Sequence, residues 1–423
     1  MQYSSVTRLK FLLSLASTGA LSACPFKIDK SYLPPASPSS PAASSGAIFA
    51  VSPVTSAAPA APNLAPPAGP VGAANTLNIT NSTSYSNSAI KVYVVGINPQ
   101  NGAWSSLQAS GSVAALSASP APGLPLNAQT TTFPLPYLGS ARIYFAVNGT
   151  LNIQGSGGAA TQPAGWVQSD PSYQTLFDWI EYDYAAGAGL YCNTTQVDMF
   201  GLPITIQIGV NGAPSGSMLG MGPGARSSIF SAIRALGAPF SNLIVSNNGT
   251  DLRVIYPGFA IASGLFPSTY LDSYIQSVWT YYQKNTMTLN TTAYSTWSGT
   301  VSGAAFTFTQ NGQTVTIAQP STSDTLQCAG PLASGTSAAG SRIEALIAAG
   351  LNRGSLLTGT SQPDINPSDF YQTAPIHQYA KIMHQYGLQN RSYAFAYDDE
   401  GGFDATIAYT GAGPSLNVVL SAF

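Results

Sequence analysis

Charge is what this chain most lacks: Asp, Glu, Lys and Arg together make up 7% of its 423 residues. The 14 bases and 16 acids leave a formal net charge of -2. No basic field is present to hold a phosphate backbone, so nucleic acid is excluded as a partner. Histidine is nearly absent too, with only His377 and His384. A helical zinc pair would favour an i, i+4 spacing, which these two do not have, so both read as ordinary helix-face residues and no metal site is expected. Solubility has to come from Ser, Thr, Asn, Gln and Gly. That suits an extracytoplasmic protein that meets a neutral polar ligand, and it suits an inert surface protein as well.

Cysteine is scarce, with 3 in the chain, and each has a distinct setting. Arg8 and Lys10 precede the apolar run FLLSLASTGALSA, which is too short to span a bilayer and reads as an export signal over residues 1–23. The LSAC that closes it resembles a bacterial lipobox, which makes Cys24 the expected site of lipidation; an ordinary secretory cleavage near Ala23 is the alternative. Acyl chains on Cys24 would anchor stably, since each buried CH₂ contributes roughly 0.8 kcal/mol. The expected location is therefore the cell envelope or outer surface, or else secretion, with membrane contact only through the lipid. Cys192 and Cys328 remain, and in an oxidising compartment they could form a disulfide or persist as two buried thiols.

Residues 24–75 are dominated by Pro, Ala and Ser, as in LPPASPSSPAASS and APAAPNLAPPAGP. Such a stretch has too little to bury and is expected to be an extended tether. Residues 76–423 carry the folding information, and their length suits two lobes. IKVYVVGI, ARIYFAV and DLRVIYPGF are rich in β-branched and aromatic residues, while AAFTFTQNGQTVTIA places Asn311-Gly312 between two strand-like halves, a strong hairpin signal. Four segments carry helical periodicity: SSIFSAIRALG, STYLDSYIQSVWTYYQKN, SRIEALIAAGLNRG and PIHQYAKIMHQYG. In the third, Ser341 and Glu344 read as a capping box. The expected fold class is mainly β with inserted helices, a β lobe beside a mixed α/β lobe, in a monomer.

Against this low background, DWIEYDY and NTTQVDMFG concentrate carboxylates. Taken as a strand, DWIEYDY points Trp179, Glu181 and Asp183 to one side. The same alternation aligns Thr194, Gln196 and Asp198 in NTTQVD. If the two strands pair through the Gly-rich AAGAGL between them, both polar faces line one groove. Two carboxyls beside an indole suit a sugar: the ring would stack on a pyranose while the acids move protons or accept hydroxyl hydrogen bonds. Glycoside hydrolysis needs two carboxyls in different environments. Glu181, beside Asp183 and flanked by aromatics, is expected to hold its proton and act as the acid; Asp198, among neutral polar neighbours, is the better base. An acidic cleft that only binds remains the alternative.

DWIEYDY, NTTQVDMFGLPITIQIG, SRIEALIAAGLNRGSL, FYQTAPIHQYAKIMH and SYAFAYDDEGGFDATI together, in order, resemble glycoside hydrolase family 64, the endo-β-1,3-glucanases related to thaumatin-like proteins. The resemblance runs from about Gly123 to Ala422. It implies a thaumatin-like β-barrel or sandwich lobe beside a mixed α/β lobe, with a wide groove for laminarin- or curdlan-like β-1,3-glucan. It also implies an inverting mechanism with no metal or cofactor, the acid falling on Glu181 and the base on Asp198. YAFAYDD resembles the acidic thaumatin-like signature, which implies that Asp398 and Asp399 line or brace the groove. Two departures stand out: Asp183 occupies a position where the family commonly has a small hydroxyl residue, and Cys192 one where a small residue is usual. The rival reading is a non-catalytic β-glucan-binding surface protein.

Overall fold

The three runs richest in β-branched and aromatic residues, Ile90–Ile97, Gly139–Val147 and Leu176–Ala185, lie side by side as antiparallel strands. Such side chains keep their preferred rotamers on a pleated surface and pack against cross-strand neighbours. The computed structural model describes residues 75–423 apart from Gly157, so the signal-like segment, Cys24 and the tether lie outside the described residues. Gly189–Thr194 and Thr406–Tyr409 extend the trio on one flank, and Trp104–Leu107 and Val113–Ala115 on the other. With Leu124–Pro125 pairing beside Ile90–Ile97, the sheet has eight strands.

A second sheet of five strands runs in the order Ala213–Gly220, Ile204–Val210, Pro414–Leu420, Thr76–Asn81, Thr130–Pro134. Thr76–Asn81 pairs in parallel with Pro414–Leu420, so the two ends of the described region close on each other. Both strands alternate buried and half-buried residues, the period-2 signature of a sheet with one face covered. Leu77, Ile79, Ile206, Leu416 and Val418 from this sheet share one apolar cluster with Val92, Val94, Ile143, Phe145 and Ile180 from the first. The two sheets therefore face each other as a sandwich. Truncating a residue in this interior, such as Ile143→Ala, should cost about 2–5 kcal/mol.

Beyond the sandwich, Met287–Asn290, Thr296–Ser302, Ala305–Gln310, Gln313–Ala318 and the short Ser361–Gln362 make another five-stranded sheet. Its Asn311-Gly312 turn has positive φ at both residues, 45° and 78°, as a two-residue hairpin demands. The helix Asp272–Tyr282 packs on it: Trp279 meets Phe306 edge-on at 5.7 Å and Tyr282 meets it at 5.2 Å. The other expected helices are Ala225–Ala235, Ala338–Arg353 and Gln378–Tyr386.

One expectation is corrected here, and one left open is decided. The helix Ala338–Arg353 begins a turn before Ser341, because Ser337 serves as its N-cap, accepting the N–H of Gly340 at 2.9 Å. Glu344 lies inside the helix and accepts from the Ser334 hydroxyl and, at 3.1 Å, from the Gly335 N–H. Starting earlier adds intrahelical hydrogen bonds, and Ser337 caps as well as Ser341 would. Of the two states left open for the remaining cysteines, the structure holds the thiols: Cys192 and Cys328 are both buried and free. Cys192 sits in a sandwich strand opposite Tyr182, whereas Cys328 caps the helix Thr322–Gln327, its sulfur 3.6 Å from the Asn352 amide. Among the described residues no helix is long and apolar enough to cross a membrane.

Candidate active site

Cross-strand register decides which side chains meet. In the eight-stranded sheet, Val95, Arg142, Glu181, Asn193 and Thr406 stand in one row across five strands. The next row along the same face is Tyr93, Tyr144 and Trp179. This face is turned away from the sandwich interior, so a polar row lies directly beside an aromatic one. The strands Leu176–Ala185 and Gly189–Thr194 do pair, joined by a tight turn at which Ala185 opposes Gly189.

That turn sets the parity, and parity corrects Thr194. With Ala185 opposite Gly189, Glu181 must oppose Asn193, and Thr194 opposes Ile180 on the core side. A one-residue change of register would exchange the two faces. Thr194 is 2% exposed and its hydroxyl has no partner, so it lies under the sheet instead of beside Glu181. Asn193 takes the place on the site face, fully buried and with both amide atoms lacking a protein partner. Trp179 is on the expected face but is 1% exposed. Its ring lies beneath the Arg142 guanidinium, 5.0 Å from its centroid, and beside Tyr144 at 5.6 Å. No open indole face is left for a sugar to stack on.

Asp198 lies past the end of its strand, in a bend before Met199–Phe200. The segment is pinned at three points. The Gln196 N–H donates to the Tyr393 carbonyl at 2.8 Å, its side chain accepts from the Ser392 hydroxyl at 2.7 Å, and its carbonyl accepts from the Tyr379 hydroxyl at 2.7 Å. Gln196 therefore clamps this segment to residues 392–393 and is 4% exposed. The Tyr256 N–H donates to the Asp198 carbonyl at 3.0 Å. Farther on, the Asp178 carboxylate accepts the N–H groups of Gly201 at 2.7 Å and Leu202 at 3.0 Å.

The result brings Glu181 and Asp198 to one guanidinium. Arg142 donates to Oε1 of Glu181 from Nε at 3.1 Å, with Nη2 at 3.0 Å from the same oxygen and 3.7 Å from Oδ2 of Asp198. The three side chains are 20%, 8% and 16% exposed, so solvent reaches the group from one side. Nη1 of Arg142 donates to the Tyr144 hydroxyl at 3.3 Å, which in turn donates to Gln162 at 2.6 Å. Burial pushes the Asp198 carboxyl up to about 6; Arg142 opposes that rise and Glu181 adds to it. Burial alone would pull the Arg142 guanidinium down, but Tyr144, Glu181 and Asp198 outweigh it and hold it above its usual value.

Asp183 was expected to be the charge that governs Glu181. The charge in contact with Glu181 is the cation Arg142, while Asp183 lies opposite Tyr191, whose phenol is pushed up by burial and by Asp183 itself. Asp398 is fully buried, bonded to Arg353 at 3.0 Å, His384 at 2.8 Å and the Ala394 N–H at 2.9 Å. It braces the interior and lines no surface. Asp399 beside it is half-buried and receives the Tyr393 hydroxyl at 3.4 Å. His377, far from an open helix face, is 3% exposed, and burial lowers its pKa to about 3.

Sequence reasoning missed Arg142, Asn193 and Asp178. A signal existed for Arg142: a base inside the apolar run GSARIYFAV is as anomalous as Asp198 in its own run, and it shares a face with Tyr144 by alternation.

The family model described as beta-1,3-glucanase, of glycoside hydrolase family 64, matches residues 74–411. A glucan endo-1,3-β-glucosidase of Cellulosimicrobium cellulans is 32% identical over 289 residues, covering 66% of this chain and 52% of that protein. One from an Arthrobacter species is also 32% identical, over 290 residues, with the same coverage. The chain thus spans about half the length of these curated relatives. Among solved structures, a laminaripentaose-producing β-1,3-glucanase in complex with laminaritetraose superposes with a TM-score of 0.77 at 30% identity, covering 83% of this chain and 99% of that one. A β-1,3-glucanase domain from Clostridium beijerinckii gives 0.68 at 25% identity, covering 82% and 98%.

Proposed function

Because the chain belongs to glycoside hydrolase family 64, the β-1,3-glucanases, we propose that its folded region cleaves internal β-1,3-glucosidic bonds and releases short oligosaccharides. The observation that carries this reading is the meeting of Glu181 and Asp198, from separate segments, on one solvent-reached face around Arg142. In the proposed reaction Glu181 gives its proton to the glycosidic oxygen as the C1–O bond breaks. A water attacks C1 from the opposite side and yields its proton to Asp198, so the configuration at C1 inverts. A general base works best with a pKa near the working pH, where enough of it is ionised and it is still basic enough to take the proton, which suits a carboxyl raised to about 6.

Separation of the two carboxyls bears on the stereochemistry. Both facing oxygens lie within 4 Å of one Arg142 nitrogen. They are therefore less than about 7 Å apart, a ceiling that includes the about 5–5.5 Å of retaining enzymes and only the lower end of the roughly 6.5–9.5 Å of inverting ones. Inversion is accordingly proposed on family membership, and the anomer of the first product decides it. We assign the sandwich to a thaumatin-like lobe and the substrate to a groove between it and the α/β region, with Asp183 and Asp399 along its walls.

The deciding experiment is reducing-sugar release from laminarin by residues 75–423, with products separated by size. Short oligosaccharides are expected, and binding without release would replace the hydrolase with a glucan-binding protein. Lipidation of Cys24 is a separate part of the proposal, resting on LSAC and the tether behind it. A mature N-terminus other than an acylated Cys24 by mass spectrometry would overturn it.

A further inference from the structure

Two of Arg142's donors converge on a single oxygen of Glu181, Oε1, and among the described residues no hydrogen bond reaches Oε2. The third nitrogen, Nη1, is occupied by Tyr144, and Nη2 also faces Asp198. The guanidinium is therefore fixed from two sides, by a phenol on its own strand and by the cross-strand carboxylate, while its ring neighbour Trp179 supports it from below. We propose that Arg142 is a positioning residue that prepares the carboxyl pair for one-proton catalysis: it occupies Oε1 of Glu181, leaves Oε2 as the place for the transferable proton, and shares its charge with Asp198. This rests on the assignment of Glu181 and Asp198 as acid and base.

The balance follows from charge. With one proton on the pair, Arg142 and the two carboxyls sum to zero, and that sum is unchanged when the proton leaves Glu181 for the sugar and another arrives at Asp198 from water. A single cation thus serves the group before and after the step without moving. The other titratable groups facing this cluster are Tyr144 on the same strand, Asp183 on the adjacent one, Tyr191 on the next, and Tyr379 from the helix Gln378–Tyr386, with the Cys192 thiol behind the sheet on its core side; Val95, on the other side, is apolar. Burial pushes the phenols and the thiol upward, away from the range in which the carboxyl pair works.

The test is the pH dependence of kcat and kcat/KM on laminarin for Arg142→Gln and Arg142→Lys, with circular dichroism and melting curves to establish folding. Removing the charge in Arg142→Gln leaves two carboxyls facing each other without a cation. Both limbs of its profile should move up by about 1–2 pH units, and kcat should fall by roughly 10²-fold. Lysine keeps the charge but loses the two-point grip, so its limbs should stay near those of the parent while kcat still falls, by about 10-fold. Equal losses with unshifted limbs in both variants would mean a structural role only, and a parent-like kcat in Arg142→Gln would overturn the proposal outright. If Arg142→Gln fails to fold, Arg142→Lys and Tyr144→Phe decide: lowered kcat with unchanged KM supports the proposal, and unchanged kcat in both sinks it. Glu181→Gln is measured alongside. Full turnover in that variant would remove the acid assignment itself, whatever Arg142 does.

Discussion

The carboxylate of Asp178 accepts the backbone N–H of Gly201 at 2.7 Å, across 23 residues of chain. Asp178 is three positions before Glu181 on the same strand, and Gly201 is three positions after Asp198. One buried side chain thus ties the strand that carries one carboxyl of the site to the segment that carries the other. The same oxygen accepts from Leu202, and the other accepts from the Trp179 N–H at 2.9 Å.

Asp178→Asn should therefore loosen the pair without touching it. One carboxylate oxygen becomes an NH₂ group facing backbone donors, so at least one buried N–H loses its acceptor at a cost of about 1–3 kcal/mol. A lower melting temperature together with reduced kcat is expected. An unchanged melting temperature would show that the clamp contributes nothing.

Glu181→Gln and Asp198→Asn keep size and hydrogen bonding while removing proton transfer. Each should fold, bind laminarin and lose roughly 10²–10⁴-fold or more in kcat. More than a tenth of the parent turnover in either variant would disprove the role given to that residue.

Inversion predicts that the first product from a β-linked glucan is the α-anomer. Proton NMR of the earliest reducing ends, before mutarotation, reads this directly. An initial β-anomer would make Asp198 a nucleophile.

Three carboxyls carry a pH prediction for stability. Burial raises Asp178 to about 7 and Asp198 and Asp404 to about 6. In an unfolded chain each returns to about 3.9. Between those values the folded state binds more protons than the unfolded state, so stability should rise as pH falls from about 8 toward 4 and level off above about 8 on this account. Asp398 works the other way: burial would raise it, but His384 and Arg353 hold it below its usual value, and its contribution is lost only at lower pH. Melting curves of residues 75–423 against pH test the sign, and Asp198→Asn should flatten part of the slope.

Because Cys192 and Cys328 are separate buried thiols, reductant should leave the melting temperature of residues 75–423 unchanged. Thiol reagent should react only after denaturation. Protection that vanishes with reductant would indicate a bridge.

Much of this protein could be read along the chain. Strand runs, the Asn311-Gly312 hairpin and four helices follow from local periodicity and turn chemistry, because these depend on residues a few positions apart. The scarcity of charge made Glu181 and Asp198 stand out, since a buried carboxylate needs a reason. Which groups surround them was a matter of tertiary structure. The turn between Ala185 and Gly189 placed Asn193 beside Glu181 and sent Thr194 to the core, a parity that composition does not contain. Packing of Tyr144 and Arg142 over Trp179 closed the indole to a sugar. Arg142 reached Glu181 across a strand pair 39 residues apart in sequence, and that long-range pairing alone decided which charge the carboxyl meets.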